Sequence, residues 1–152
     1  MYKPDLRGGL PVVFNVTCTM ADFNDLLLVE DDIFIARALE RCLAQHGIRA
    51  RHVSHCGAAA LLNGPFALGI FDIDLPDGDG VELARELLDR GVVQRAVFYT
   101  GCANATQLWR AGSLGTVFRK SASLSALMDT VLPCPGLPMT IERSRPLEES
   151  AL

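Results

Sequence analysis

The regular alternation of short apolar runs with helical segments constrains the fold of this chain more than any other feature. Five short strand-like runs, most of them apolar, are each followed, after a short loop, by a segment whose hydrophobic residues recur at helical spacing. Five such units in about 110 residues predict right-handed crossovers and one parallel sheet with helices on both faces. The predicted fold class is therefore α/β, a (βα)5 flavodoxin-like doubly wound sheet with strand order 2-1-3-4-5. The five runs lie at 26–29, 48–53, 67–71, 96–99 and 116–118.

Polar and glycine residues mark where the predicted helices begin and end. Asp32 is placed to cap the first helix, which Gly47 ends. Asp79 and Glu82 have the spacing of a capping box at the start of the third helix. Ser123 is placed to cap the last helix. The second and fourth helices are predicted at 57–62 and 103–111.

The two ends of the chain lack this alternation. Residues 1–24 contain two prolines and two glycines and show no sustained hydrophobic period. Residues 133–152 contain four prolines among polar and charged residues. We therefore expect one folded domain at 25–132, between an N-terminal extension and a flexible C-terminal tail. No DNA-binding or catalytic module follows residue 132 in this sequence. We therefore expect either a stand-alone protein whose output lies in a partner or a fragment of something larger.

Composition argues against several functional classes. The 152 residues are 49% hydrophobic and 21% charged, with a net charge of -4, so no general attraction to nucleic acid or an anionic membrane surface is expected. No apolar run approaches the ~20 residues that span a bilayer. Five cysteines without a C-x-x-C pair indicate reduced thiols in the cytoplasm. His52 and His55, three residues apart on or beside a strand, point to opposite faces and are not expected to bind a metal together.

Acidic residues follow the first and third predicted strands. The first strand runs into three acids at 30–32, and the third runs into Asp72. In a sheet of this order the binding crevice lies at these two strand ends. Carboxylates brought together there repel one another unless a cation screens them, and Mg²⁺ prefers oxygen ligands. The pattern predicts a divalent metal site formed by Glu30, Asp31 and Asp72, with Asp32 serving as a helix cap.

Two further residues are predicted to lie at the same edge of the sheet. Thr100 ends the fourth strand and precedes Gly101, so that a hydroxyl and a backbone N–H are available to a phosphoryl oxygen. Lys120 follows the fifth strand and supplies a positive charge suited to phosphate. Either residue alone is typical of an ordinary turn or a solvated surface. Together with the acids, in this strand order, they indicate phosphoryl chemistry.

Four segments of the chain resemble the receiver domains of two-component response regulators. The first is LLLVEDDIFIARALE, in which Glu30 and Asp31 occupy the place of the acidic metal-binding pair. The second is FDIDLPDGDGVEL, with the phosphoacceptor spacing of Asp72, Pro76 and Gly80. The remaining two are VFYTG and VFRKS, which resemble the segments of the switch threonine and the phosphate-binding lysine. The resemblance covers about residues 25–132, with all four motifs in order.

The resemblance implies a phosphorelay function. Asp72 would be the nucleophile that takes a phosphoryl group from a phosphohistidine on a sensor histidine kinase or phosphotransfer protein. Thr100 and Lys120 would bind the phosphoryl oxygens. The chain would be a signalling domain rather than a turnover enzyme, limited to self-phosphorylation and autodephosphorylation. The implied ligands of Mg²⁺ or Mn²⁺ are Asp31, Asp72 and the backbone carbonyl of Asp74, with Glu30 acting through water.

The sequence departs from the receiver pattern after the fifth strand. Ser121 replaces the proline usual after the lysine, and Val117 stands where a switch aromatic is usual. Arg119 is adjacent to Lys120 and competes with it for the phosphate role. These departures leave open the possibility that the chain is a non-switching pseudo-receiver that acts as a protein-binding module.

The closely spaced acids after the third strand are also similar to two other kinds of motif, a phosphatase motif and a calcium-binding loop. The pair Asp72-x-Asp74 is found in haloacid-dehalogenase-like phosphatases, which are true enzymes and hydrolyse small phosphoesters repeatedly. Such enzymes need a longer chain, with the nucleophile strand near its start. The acids of DIDLPDGDG do not follow the alternation of a calcium-binding EF-hand loop, and a strand rather than a helix precedes them.

The fourth helix carries the candidate partner surface. Trp109 lies beside Leu108, and adjacent helical positions point about 100° apart, so both cannot face the core squarely. If Leu108 is buried, Trp109 is at least partly exposed, which is characteristic of binding hot spots. The resemblance implies the same, since receivers use this helix, the fifth strand and the last helix to meet partners or each other. We therefore expect Trp109 to form part of a homodimer or effector contact.

Overall fold

The structure is a computed structural model that describes residues 25–132, in which strands and helices alternate as predicted. The predicted extension at 1–24 and tail at 133–152 lie outside the described residues. No helix in the described range is long and apolar enough to cross a membrane. The elements in chain order are β1 (Asp25–Val29), α1 (Ile33–Gln45), β2 (Arg49–Val53), α2 (Cys56–Ala60), β3 (Leu68–Phe71), β4 (Asp74–Leu75), β5 (Gly78–Asp79), α3 (Gly80–Asp89), β6 (Ala96–Thr100), α4 (Ala105–Leu114), β7 (Gly115–Arg119) and α5 (Leu124–Val131).

Five of the strands form one parallel sheet in the order β2-β1-β3-β6-β7. The short strands β4 and β5 form a separate antiparallel hairpin, so the main sheet has the predicted order 2-1-3-4-5. This confirms the flavodoxin-like α/β fold. Val29 pairs with Phe71, and Thr100 pairs with Arg119. The residues that follow these strands therefore meet at one edge of the sheet.

Each face of the sheet carries its own hydrophobic core. Successive residues of a strand point to opposite faces, so Leu27 and Val29 of β1 lie in one core while Leu26 and Leu28 lie in the other. Burying each of these large side chains stabilises the fold by roughly 1.5–3 kcal/mol. The core that contains Leu27 and Val29 is also lined by residues of α2, α3 and α4. The core that contains Leu26 and Leu28 is also lined by residues of α1 and α5. Burial on both faces explains why β1 is apolar along its length.

The predicted helix caps are mostly confirmed. The Asp32 carboxylate accepts the backbone N–H groups of Phe34 and Ile35, at 2.9 and 3.2 Å, and so caps α1. Gly47 follows α1 in the left-handed region, with φ of 74°. The fourth helix begins later than predicted and runs to Leu114, because Asn104 caps it through the N–H of Gln107.

The capping box at the start of α3 forms only in part. The Asp79 carboxylate accepts the N–H of Val81 at 2.8 Å, as a cap does. Glu82 was predicted to return the bond to the Asp79 amide but pairs instead with Arg110 of α4. A neighbouring guanidinium offers this exposed carboxylate a charged partner, which is a stronger hydrogen-bond donor than a neutral amide.

Gly80 brings the start of α3 against the backbone that follows β3. Its N–H donates to the carbonyl of Ile73 at 2.8 Å. A Cβ atom built on Gly80 would lie 1.8 Å from the carbonyl oxygen of Asp72 and 3.0 Å from the Cα of Ile73. Since backbone atoms form this contact, no side chain can move aside. Only glycine fits at this position of the motif that begins with Asp72.

Replacing Gly80 by alanine is expected to lower the free energy of unfolding by roughly 1–3 kcal/mol, because the added methyl group forces the two backbones apart. Gly112→Ala in α4 is the matched control. A Cβ there meets nothing within 4 Å, so alanine should stabilise this helix by up to about 1 kcal/mol. Urea denaturation of the two variants measures both effects. Equal stability of the two variants would contradict the packing argument.

Candidate functional site

Three polar residues are buried among the described residues, and all three lie at the carboxyl edge of the sheet. Glu30 follows β1 and is 1% exposed, Asp72 follows β3 and is 5% exposed, and Thr100 ends β6 and is fully buried. A buried carboxylate is costly unless charged or hydrogen-bonding partners compensate for the lost water. Two buried carboxylates at one edge of the sheet therefore indicate a site for a positively charged group.

The carboxylates of Glu30, Asp31 and Asp72 form one cluster. One oxygen atom from each lies within 4.8 Å of the others. The pairing of Val29 with Phe71 brings the two strand ends side by side, and the exposed Asp31 opens the cluster to solvent. An oxygen-only donor set that opens to solvent fits Mg²⁺, which one or two carboxylates and several waters usually hold in proteins.

Lys120 supplies the counter-charge to this cluster. Its Nζ atom lies 2.8 Å from Oδ2 of Asp72 and 2.9 Å from Oε2 of Glu30. Its backbone N–H donates to the carbonyl of Thr100 at 3.0 Å, which fixes the residue beside the end of β6. The Asp72 carboxylate is held on its other side by the N–H of Ile73, 2.7 Å from Oδ1.

The electrostatic environment shifts two of these groups. Burial raises the pKa of Glu30, the hydrogen bond from Lys120 counteracts this in part, and the negative charge of Asp72 adds to the rise. Burial alone would lower the pKa of Lys120. The hydrogen bonds and charges of Asp72 and Glu30 outweigh that effect, so the pKa of Lys120 lies above its usual value. The ammonium group is therefore positively charged at neutral pH.

Arg119 and Lys120, which the sequence left as competitors, point to different places. The Arg119 guanidinium donates to the backbone carbonyl of Cys102, in the loop between β6 and α4. Lys120 is the one that contacts Asp72. Consecutive residues at the end of an extended strand point in opposite directions, which explains the division.

Thr100 and Asp74 lie near the cluster without joining its carboxylates. The Thr100 hydroxyl accepts the N–H of Cys102 at 3.0 Å. The Asp74 side chain is exposed, and the residue pairs with Asp79 in the β4–β5 hairpin. Burial raises the pKa of the Cys102 thiol, and the nearby Asp74 carboxylate raises it further. The Asp74 carboxylate is not one of the three clustered carboxylates.

The loop after Asp72 is anchored to two helices through contacts that the sequence did not reveal. The Asp77 carboxylate accepts the N–H groups of Cys56 and Gly57 at the start of α2, at 2.8 and 2.9 Å. Burial, followed by the charge of Asp77, raises the pKa of the Cys56 thiol to about 11. At the end of the loop, Arg110 donates to Asp79 at 3.0 Å.

One histidine also contacts the site. Nε2 of His52 lies 2.8 Å from the backbone oxygen of Glu30. From the sequence, His52 is considered only as a possible metal ligand, a role that its spacing from His55 argues against. No sequence pattern predicts this hydrogen bond, which joins residues 22 positions apart.

The exposed face of α4 is as predicted. Trp109 is 76% exposed, and Leu108 is half-buried against the core. Three further exposed apolar side chains among the described residues were not anticipated, namely Leu61 after α2 and the pair Ile33 and Phe34 at the start of α1. Ile33 and Phe34 follow the Asp32 cap directly, and their positions at the solvent side of the first helical turn leave them outside the apolar stripe.

Comparison with known proteins agrees with this fold. No protein-family model matches the chain. A response regulator receiver protein of Brucella abortus, CpdR, is 37% identical over 81 residues, which cover 51% of this chain and 67% of that protein. A CheY-like receiver domain protein from Methanospirillum hungatei is 25% identical, with a TM-score of 0.63 over 71% of this chain and 90% of the other.

A third similarity is to the response regulator TrrA of Thermotoga maritima, solved in complex with Mg²⁺ and BeF. It is 22% identical, with a TM-score of 0.61 over 71% of this chain and 96% of the other, and it supports the fold alone. The match to CpdR covers two thirds of that protein, and its identity of 37% is well above that of the two solved structures. On that similarity, joined with a sheet of matching topology, the chain belongs to the response regulator receiver family.

Proposed function

We propose that this receiver accepts a phosphoryl group on Asp72 from a phosphohistidine of a histidine kinase or phosphotransfer protein. The observation that carries the proposal is the contact of Lys120 with Asp72 inside a cluster of three carboxylates. Asp72 is the member of that cluster that follows the central strand β3, so it lies in the crevice of the sheet. We also propose a cytoplasmic location, which the cysteine pattern favours.

The chemistry is an in-line displacement at phosphorus. An oxygen of the Asp72 carboxylate forms the new P–O bond while the N–P bond of the phosphohistidine breaks, and the imidazole nitrogen keeps the electron pair and takes up a proton. Such reactions depend on positioning and on charge stabilisation rather than on covalent chemistry by the protein. The Ile73 N–H fixes one carboxylate oxygen, and Lys120 stabilises negative charge on the phosphoryl oxygens. Thr100 would bind one of these oxygens through its hydroxyl.

The charge of the cluster favours a divalent cation. Three carboxylates against one ammonium group leave two uncompensated negative charges when all are ionised. Mg²⁺ or Mn²⁺ would offset both charges and, when bound, would reduce the repulsion between Asp72 and an incoming phosphoryl group. We assign its ligands as Asp31, Asp72 and the Asp74 backbone carbonyl, with Glu30 acting through water.

A phosphatase function is less well supported. That mechanism needs the second acid of the pair, Asp74, to act as a general acid or base at the site of Asp72. The Asp74 carboxylate is exposed and lies outside the three-carboxylate cluster. A phosphoprotein that persists, rather than repeated turnover of phosphoesters, is therefore the expected product.

Phosphorylation can be tested with acetyl phosphate as donor. Asp72→Asn is expected to reduce labelling to background, because the amide lacks the nucleophilic carboxylate oxygen. Asp89→Asn, at the exposed end of α3, is the matched control and should be labelled like the parent. Intact-mass measurement detects the phosphoryl group directly. Equal labelling of the Asp72 variant and the parent would rule out Asp72 as the acceptor.

Lys120→Met is expected to lower the free energy of unfolding of the metal-free protein by roughly 3 kcal/mol at pH 8, and by less at pH 5. Without the Lys120 hydrogen bond, the pKa of Glu30 rises further above its ordinary value of 4.5. A carboxyl with a higher pKa in the folded than in the unfolded state opposes folding increasingly as the pH rises between those two values. Urea denaturation at the two pH values measures the difference.

Arg119→Met provides the control, since that side chain contacts a backbone carbonyl and neither carboxylate. Its effect on stability should be the same at both pH values. A Lys120 variant whose loss of stability does not change with pH would show that the ammonium group does not neutralise the buried acids.

We propose that Trp109 is part of a homodimer or effector contact that responds to phosphorylation. Arg110, the next residue of α4, pairs with Asp79 and Glu82, where the phosphoacceptor loop ends and α3 begins, so a movement of that loop acts directly on this helix.

Trp109 is the only tryptophan, so its fluorescence reports this surface alone. Beryllofluoride, a phosphoryl mimic, is expected to change the emission spectrum, with a dependence on protein concentration if the contact is a homodimer. A spectrum unmoved by either variable would remove Trp109 from the contact.

A further inference from the structure

His52 contacts the backbone that carries two of the clustered acids. It is the penultimate residue of β2, beside Leu28 in the register of the sheet, and it is half-buried. Its Nε2 atom lies 2.8 Å from the carbonyl oxygen of Glu30. A carbonyl oxygen only accepts hydrogen bonds, so this nitrogen carries the proton and donates.

The segment held by His52 is the short connection between β1 and α1. Glu30 is tied to β2 through both of its backbone groups, because its N–H also donates to the carbonyl of Val53 at 3.1 Å. Its side chain accepts the N–H of Asp32 at 3.1 Å. Asp31 lies between these fixed points and is itself exposed. The position of its carboxylate therefore depends on the backbone on either side.

We propose that His52 is a positioning residue for the divalent cation, acting through the Glu30 carbonyl to fix the turn that presents Glu30 and Asp31. The proposal rests on the proposed function, since it concerns the same metal. His52 reaches the backbone and contributes no ligand atom to the carboxylate cluster. We infer that His52 fixes the positions of these ligands before the cation binds.

Loss of this bond should weaken both folding and metal binding. Glu30 is buried, so its carbonyl without the His52 donor is expected to cost roughly 1–3 kcal/mol of stability. The remaining bond from Glu30 to Val53 keeps β1 and β2 paired. Residues that orient metal ligands through hydrogen bonds, without binding the metal themselves, typically contribute about 10- to 100-fold in metal affinity. A freer turn would have to be ordered again each time the cation binds.

A pair of nearly isosteric substitutions separates the hydrogen bond from the shape of the side chain. His52→Gln keeps an N–H donor the same number of bonds from the backbone as Nε2, whereas His52→Met has similar length and no donor. Titration calorimetry of the full chain with Mg²⁺ is the measurement, and Asp31→Ala, which removes a proposed ligand, is the reference for a damaged site. Urea denaturation checks that each variant folds.

The methionine variant is expected to bind Mg²⁺ about tenfold more weakly than the parent, and the glutamine variant to stay within about threefold of it. At saturating Mg²⁺, labelling of the methionine variant by acetyl phosphate should return to the parental rate, because Asp72 and Lys120 are untouched. Parental affinity in the methionine variant, or equal loss in both variants, would overturn the role of His52 and leave the proposed function standing. A parent chain that is not labelled and binds no Mg²⁺ would overturn both.

Discussion

The ammonium group of Lys120, placed between two buried carboxylates, is the interaction on which the rest of the site depends. Without it, Glu30 and Asp72 would be like charges withdrawn from water at adjoining strand ends. The parallel sheet brings these carboxylates together because the ends of β1 and β3 are aligned. The same sheet ends β7 near that edge, so that Lys120 compensates for the repulsion between them. The strand order that buries the apolar runs also brings the acids and the lysine together.

The features predicted from sequence are those that depend on local pattern. Strand order followed from the apolar runs and the rules for parallel crossovers, and the Asp32 cap followed from its place before an amphipathic segment. The meeting of Glu30, Asp31 and Asp72 could be anticipated because fixed topology turns sequence position into spatial position. Their roles as metal ligands and phosphoacceptor remain predictions that the proposed experiments address.

The features that sequence did not provide are contacts between distant side chains. His52 and Glu30 are 22 residues apart, and Arg110 and Asp79 are 31 apart, so no short periodicity links either pair. The capping-box pattern at Asp79 and Glu82 was partly misleading for the same reason. A guanidinium from another helix competed for Glu82, and local spacing carries no information about such a competitor. The choice between Arg119 and Lys120 also required the direction of each side chain.

The close approach of Gly80 to Asp72 has a consequence for how this segment can vary. From Ile73 to Gly80 the chain leaves the sheet, turns through a two-stranded hairpin and returns to donate the Gly80 N–H to the Ile73 carbonyl. The segment is thus a closed ring of backbone with a fixed circumference. One inserted or deleted residue would shift the hairpin register and open the ring, even where Asp77 and Gly80 were kept. This part of the sequence must therefore keep its length as well as those two residues.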